Sequence, residues 1–270
     1  MEVDLVLSGS GTRFPIFIGA LKAFEENDIQ IKRVAGTSGG SIMASYIALQ
    51  NNTTADEMFK TILDMDFKKF KDFSILSLIF RYGVYKGNEV EKTVDKIMGG
   101  ITFKYLPMSC KIVASNPMDD EIVVFSKETT PDVKVSAAVR YSLSVPLVFG
   151  YKKYKEKPLL DGLLVSNYPI DIFDDNQRKV FGFRIVSSTR KTCCFSKMNI
   201  FDYTIYLVQS LILSLEKEHM KDAPLSASTI EFDCDINPLN FDLTKGLKQK
   251  MFDIGYKTTK QYLLSGEHNA

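Results

Sequence analysis

Short apolar runs that end in glycine-rich turns alternate with stretches of helical spacing, and this alternation organises the first fifty residues. Asp4 to Leu7 (DLVL) reads as a buried strand entering the turn SGSG, and Ile16 to Glu26 then sets Ile16, Gly19, Ala20, Ala23 and Phe24 on one helical side. Ile29 to Ala35 (IQIKRVA) is again strand-like and runs into Gly36-Thr37-Ser38-Gly39-Gly40, followed by a second helical stretch, Ser41 to Leu49. Strand, glycine turn and helix, twice over, predict a mostly parallel sheet with crossover helices.

The rest of the pattern is less regular. Helices are expected over Asp56–Asp66, Glu89–Met98, Val133–Tyr141 and, as an amphipathic closing element, Phe252–Leu264. Lys111–Ser115 and Glu121–Phe125 read as neighbouring strands, and Val180–Val186 as a late core strand. Gly83–Asn88 reads as a turn, and Leu159-Leu160-Asp161-Gly162 as an apolar run ending in an acidic turn. Ile200–Leu215 is the most apolar long segment, but Asp202 and Gln209 interrupt it, so a core helix is expected rather than a membrane span. With no repeat and no linker, one α/β domain is the simplest reading.

Composition narrows the chemistry. The 270 residues carry 34 Lys+Arg against 33 Asp+Glu, a net charge of +1, which removes the electrostatic footprint of a general nucleic-acid binder. Cys110, Cys193, Cys194 and Cys234 form no CxxC pair and show no zinc spacing, so reduced thiols, no metal and a cytoplasmic setting are expected. The start, MEVDLVLSGSG, lacks a basic region before a long apolar stretch, so no secretory signal is expected. The chain has only two histidines, His219 and His268. Any mechanism with a histidine base must use one of them.

Gly36 to Gly40 satisfies G-x-S-x-G with an apolar strand before it and a helix after it. That is the context in which Ser38 sits on a sharp turn and the following helix N-terminus faces a developing oxyanion. The bland alternative is a glycine-rich turn whose serine caps the helix. Gly9-Ser10-Gly11-Thr12-Arg13 also joins a strand to a helix, so its amides converge on an anion or simply turn the chain. A dinucleotide loop is disfavoured, because Phe14 occupies the third glycine position and no acidic residue ends the second strand. For a base, His219 lies in the charged stretch LEKEHMKDAP, whereas Asp161 ends an apolar run where a carboxylate can project into a site.

These residues together resemble the patatin-like phospholipases, serine acyl hydrolases that use a Ser–Asp dyad without histidine. Leu7–Leu21 is similar to the family's glycine-rich oxyanion loop and first helix, and Gly36–Gly40 to its nucleophile elbow. Gly83–Asn88, Ala137–Phe149 and Leu160–Pro169 resemble later family segments in family order. The resemblance implies a three-layer α/β/α fold, with residues 4–174 as the catalytic core and 175–270 completing the same domain. It implies Ser38 as nucleophile, Asp161 as base, and the amides of Gly9, Ser10 and Gly11, with that of Gly39, as oxyanion donors. There are departures: Ser10 replaces the middle glycine of three, Phe14 a later glycine, and Leu163 a small residue after Asp161-Gly162. A serine at position 10 is strained if that position needs positive φ.

The expected activity is hydrolysis of fatty acyl esters of phospholipid or another acyl-ester lipid, with no metal or cofactor. An acyltransferase on the same dyad, or a silent lipid- or partner-binding module, are the alternatives. Arg13 is a candidate for an anionic headgroup, and Phe14 for the mouth of the acyl path. Phe67–Tyr85, rich in aromatic and basic residues, is expected either to contact a membrane peripherally or to cap the acyl pocket.

Overall fold

A computed structural model describes residues 1–49, 53–175, 177–187 and 227–266, together with Met198, Tyr203, Tyr206 and Ser210. The expected Ile200–Leu215 helix falls almost wholly outside these residues, as do His219, His268, Cys193 and Cys194. Among the described residues, no helix is long and apolar enough to cross a membrane.

The centre is an eight-stranded mixed sheet. Its parallel block runs β10 (Ala227–Asp233), β9 (Lys179–Val186), β1 (Glu2–Leu7), β2 (Gln30–Thr37) and β4 (Ser109–Asn116). Beyond β4 the pairing turns antiparallel, with β5 (Glu121–Phe125), β8 (Lys157–Asp161) and β7 (Lys152–Tyr154). Helices flank it: α1 (Pro15–Glu26), α2 (Gly39–Ala48), α3 (Ala55–Asp64), α4 (Ile75–Arg81), α5 (Asn88–Met98), α6 (Val135–Ser142), α7 (Leu163–Ser166) and α8 (Lys245–Ser265). The expected α/β architecture is the one observed.

Alternation along β1 explains the layering. Val3, Leu5 and Leu7 enter the large cluster with Phe17, Phe24 and Phe183, whereas Val6 joins Ala35, Tyr168, Ile170 and Phe173 on the other face. A strand buried on both sides needs a near-continuous apolar run, which Leu5, Val6 and Leu7 supply after the buried Asp4. Against the first face, α1 and α8 cross with their backbones touching. A Cβ on Gly19 would lie 1.9 Å from the Phe252 carbonyl oxygen, and one on Gly255 1.8 Å from that of Ile16.

Three elements differ from the sequence-based expectation. The Gly83–Asn88 stretch contains a strand, β3 (Gly83–Tyr85), which pairs in parallel with β6 (Leu147–Phe149) before Gly87 caps α5. The last helix begins at Lys245, ahead of the apolar periodicity. Lys248 explains why: its buried ammonium donates to the carbonyls of Ile62, Leu63 and Met65 at the end of α3, a polar anchor that an apolar pattern does not register. Phe67–Tyr85 divides in two, Phe67 and Phe70 being buried and the residues from Phe73 to Tyr82 largely exposed.

Candidate active site

β4 brings the two halves of the site together. Thr37 at the end of β2 pairs with Val113, and Asp161 at the end of β8 pairs with the next residue, Ala114. The opposite edge of β4 is occupied by β5 at both positions, so β2 and β8 approach along one edge from opposite directions and meet end to end. Ser38 and Asp161 are thus neighbours through the register of one strand. Gly162 is needed at this junction, because a Cβ there would lie 2.6 Å from the Val113 carbonyl oxygen and 2.8 Å from Thr37 Cγ2.

Ser38 has φ 52° and ψ −127°, a strained conformation for a residue with a side chain, costing on the order of 1–3 kcal/mol. The glycines around it permit the turn by close packing. A Cβ on Gly36 would strike the Gly40 carbonyl oxygen at 2.5 Å, and one on Gly40 would strike that of Ser8 at 2.4 Å. Two buried serines hold the turn. The Ser38 amide donates to Ser142 Oγ at 2.8 Å, which itself donates to the Val113 carbonyl at 2.6 Å, and Ser41 Oγ donates to the Ser38 carbonyl at 2.6 Å.

Asp161 is completely buried. Its Oδ1 accepts from the Leu163 amide at 2.9 Å, and its backbone is fixed by Ser144 and Ser115. Oδ2 has no hydrogen-bond partner. Burial pushes the carboxyl up to about 7, while the Leu163 amide and the neighbouring Ser38 hydroxyl pull the other way. The Ser38 hydroxyl faces this carboxylate and favours its charged form, outside the geometry of a closed hydrogen bond. A carboxylate poised near neutrality beside a strained serine has the properties required of a general base.

The glycine loop lies over the Ser38 turn. A Cβ on Gly39 would meet the Gly11 carbonyl oxygen at 2.3 Å and Ser10 Oγ at 2.4 Å, and one on Gly9 would come within 3.4 Å of Ser38 Cβ. The Gly9 amide donates to the Asn167 carbonyl at 2.9 Å, so it is committed to the scaffold. The amides of Ser10 and Gly11 donate to no backbone carbonyl, and that of Gly39 opens α2. Positive φ falls on Gly11 (55°), while Ser10 has φ −124°, so the serine at position 10 carries no left-handed strain.

The other candidates sit further back. Arg13 donates Nε to the Ser10 carbonyl and Nη1 to the Cys234 carbonyl, bracing the loop against the end of β10. Phe14 is buried and stacks on Phe67 at 5.3 Å, and Phe67 on Phe70 at 5.5 Å. Three positioning residues were not assigned a role from sequence: Ser142, Asn167 and Arg140. All lie in the segments Ala137–Phe149 and Leu160–Pro169, which carry the family resemblance. Arg140 is buried, donates to Ser144 Oγ and to the carbonyls of Lys86 and Gly150, and is lowered to about 10 by that burial.

Comparison with known proteins shows what the chain is similar to. A protein of Acanthamoeba polyphaga mimivirus, described as uncharacterized, is 29% identical over 97% of this chain and 93% of its own length. A probable lipid hydrolase of Invertebrate iridescent virus 6 is 29% identical over 62% of each chain. Among solved structures, VipD from Legionella pneumophila shares the fold with a TM-score of 0.62 at 16% identity, over 97% of this chain and 67% of that one. The patatin-like phospholipase model matches residues 5–174, the stretch that holds the glycine loop, Ser38 and Asp161, and the chain belongs to that family.

Proposed function

We propose that the chain is a serine-dependent lipid acyl hydrolase of the phospholipase A or lysophospholipase type, with Ser38 as nucleophile and Asp161 as general base. The observation that carries this reading is the state of Asp161: fully buried, in no ion pair among the described residues, pushed up to about 7 by that burial, and beside a serine held at positive φ. Family membership and the relative described as a probable lipid hydrolase support the choice of a lipid ester.

Asp161 Oδ2 takes the Ser38 proton as Oγ attacks the ester carbonyl. The oxyanion is met by the amides of Ser10, Gly11 and Gly39, while Gly9 holds the loop in position. Collapse breaks the ester C–O bond, and Asp161 returns its proton to the leaving alcohol. Water then attacks the acyl-enzyme, giving its proton to the same carboxylate, and fatty acid and free Ser38 are released. The chain's substrate lies in lipid assemblies, so turnover includes peripheral contact with a lipid surface.

The test is fatty-acid release from a panel of phospholipids and lysophospholipids, with labelling by a serine-reactive fluorophosphonate. Ser38→Ala is expected to lose both hydrolysis and label. Asp161→Asn is expected to lose hydrolysis while remaining folded. Acyl transfer to an added alcohol in preference to water would replace the hydrolase reading with a transferase one.

A further inference from the structure

Helix α4 is amphipathic in the wrong sense for a protein surface. Its one small polar residue, Ser77, is buried against Gly150, while its five apolar residues, Ile75 to Phe80, are 41–68% exposed. A surface helix of a globular protein ordinarily does the opposite. Phe73 and Tyr82, at 60% and 68% exposure, extend the patch on either side. Together these side chains offer on the order of 900 Å² of largely apolar surface, above the roughly 300–600 Å² of the largest patch on a typical monomer.

Phe73 and Tyr85 close the segment that carries α4 into a hairpin through an antiparallel bridge, and this hairpin is well anchored. Ser74 N–H donates to the Val84 carbonyl, and the Arg81 carbonyl accepts from Tyr151 N–H. Asp72 caps the amides of Gly87, Asn88 and Glu89. The apolar side chains are therefore presented by a fixed scaffold. That scaffold reaches the site through Arg140, which grips Lys86 and Gly150 on the hairpin side and Ser144 on the side of Asp161.

Charge selects the occupant. Lys68 and Lys69 precede the patch along the chain, Arg81 ends α4 and Lys86 follows β3; all four are exposed and in no ion pair among the described residues. The nearby carboxylates are engaged: Asp242 by Lys71, Asp72 by its three amides, Asp66 by the Lys68 amide. A second copy of the chain docking by two-fold symmetry would bring these cations against themselves. An apolar patch flanked along the chain by cations in no ion pair among the described residues matches a bilayer with anionic headgroups, which attracts basic residues at its surface and accepts apolar side chains just below.

We propose that the Phe73–Tyr82 hairpin is the membrane-docking surface of this protein and that it selects anionic bilayers. The proposal deepens the lipid-hydrolase reading by naming where the lipid surface is met, and its test is independent of turnover. Ser38→Ala protein, which consumes no lipid, is co-sedimented with phosphatidylcholine vesicles and with vesicles of two-thirds phosphatidylcholine and one-third phosphatidylglycerol. Binding to the anionic vesicles is expected to exceed binding to the neutral ones at least about tenfold. Adding Leu76→Ser with Phe80→Ser is expected to reduce anionic-vesicle binding by a further factor of about ten or more. Lys68→Glu with Lys69→Glu is expected to remove the preference for phosphatidylglycerol. Circular dichroism melts verify that each variant is folded. Unchanged binding in the folded double-serine variant would overturn the assignment, as would a dimer in light scattering that this variant abolishes without vesicle binding by either protein. Equal binding to both vesicle types would overturn the anionic selectivity. Loss of lipid hydrolysis by the wild type would contradict the functional proposal and leave these binding results standing.

Discussion

Two carboxylates, Asp4 and Asp161, lie completely buried at opposite ends of the same sheet, and their surroundings differ in kind. Asp4, near the start of β1, is met by Arg33 at 2.5 Å, and Arg33 in turn grips Asp175 with two bonds and lies over the Phe173 ring. Each carboxylate keeps one oxygen without a hydrogen-bond partner, but Asp161, at the end of β8, is in no ion pair among the described residues, whereas Asp4 also has Arg178 at 3.9 Å. A buried carboxylate bonded to a guanidinium is a structural joint, whereas one whose burial is opposed only by an amide and a hydroxyl is pushed up towards neutrality. The same residue type at the same burial is therefore a fastening in one place and, in the proposed mechanism, a proton acceptor in the other.

The largest effect that separates them is catalytic. Asp161→Asn should lower kcat for ester hydrolysis at least about a thousandfold, while Asp4→Asn should leave kcat within about twofold, measured on one soluble ester. Stability should respond in the reverse order. Folded Asp161 titrates near 7 and an unfolded aspartate near 3.8, so between those values the folded state holds the extra proton and stability falls as pH rises. Asp161→Asn should consequently stabilise the protein above pH 7, by at most about 4 kcal/mol, and make no gain at pH 4. Urea unfolding at the two pH values reads this directly.

Arg33→Met, which strands Asp4, should cost about 2–4 kcal/mol in the same unfolding assay and leave the pH–rate profile in place. Ser142→Ala orphans the Ser38 amide and the Val113 carbonyl. The expected loss is about tenfold to a hundredfold in kcat with little change in KM, because the nucleophile turn relaxes while the lipid contacts remain. Smallest of all, Ser10→Gly should change activity by less than about twofold, since φ −124° is open to any residue. A large gain on that change would mean that the serine distorts the loop.

Legibility followed the physics of each signal. The strands and glycine turns at both ends of Ser38 were readable because apolar runs and G-x-S-x-G report burial and steric need directly. Asp161 was readable only as an acidic strand end, and its pairing with Ser38 came from family resemblance. The register along β4 that joins them is a long-range fact that no local pattern contains. Ser142, Asn167 and Arg140 escaped assignment for the same reason: hydroxyl, amide and carbonyl contacts leave no periodicity. Phe67–Tyr85 was visible as aromatic and basic, but the division between buried Phe67 and Phe70 and the exposed hairpin after them depends on tertiary packing. Lys248 marks the limit of pattern reading, a charged residue in the core because three carbonyls receive it.

The central claim is that Asp161, poised by burial, activates Ser38. The most direct test is the rate of covalent labelling of Ser38 by a fluorophosphonate as a function of pH, in wild type and in Asp161→Asn. The account predicts that wild-type labelling rises with pH through a midpoint of about 7, and that the variant labels slowly with no such midpoint. Near-wild-type labelling of Asp161→Asn with the same midpoint would contradict it.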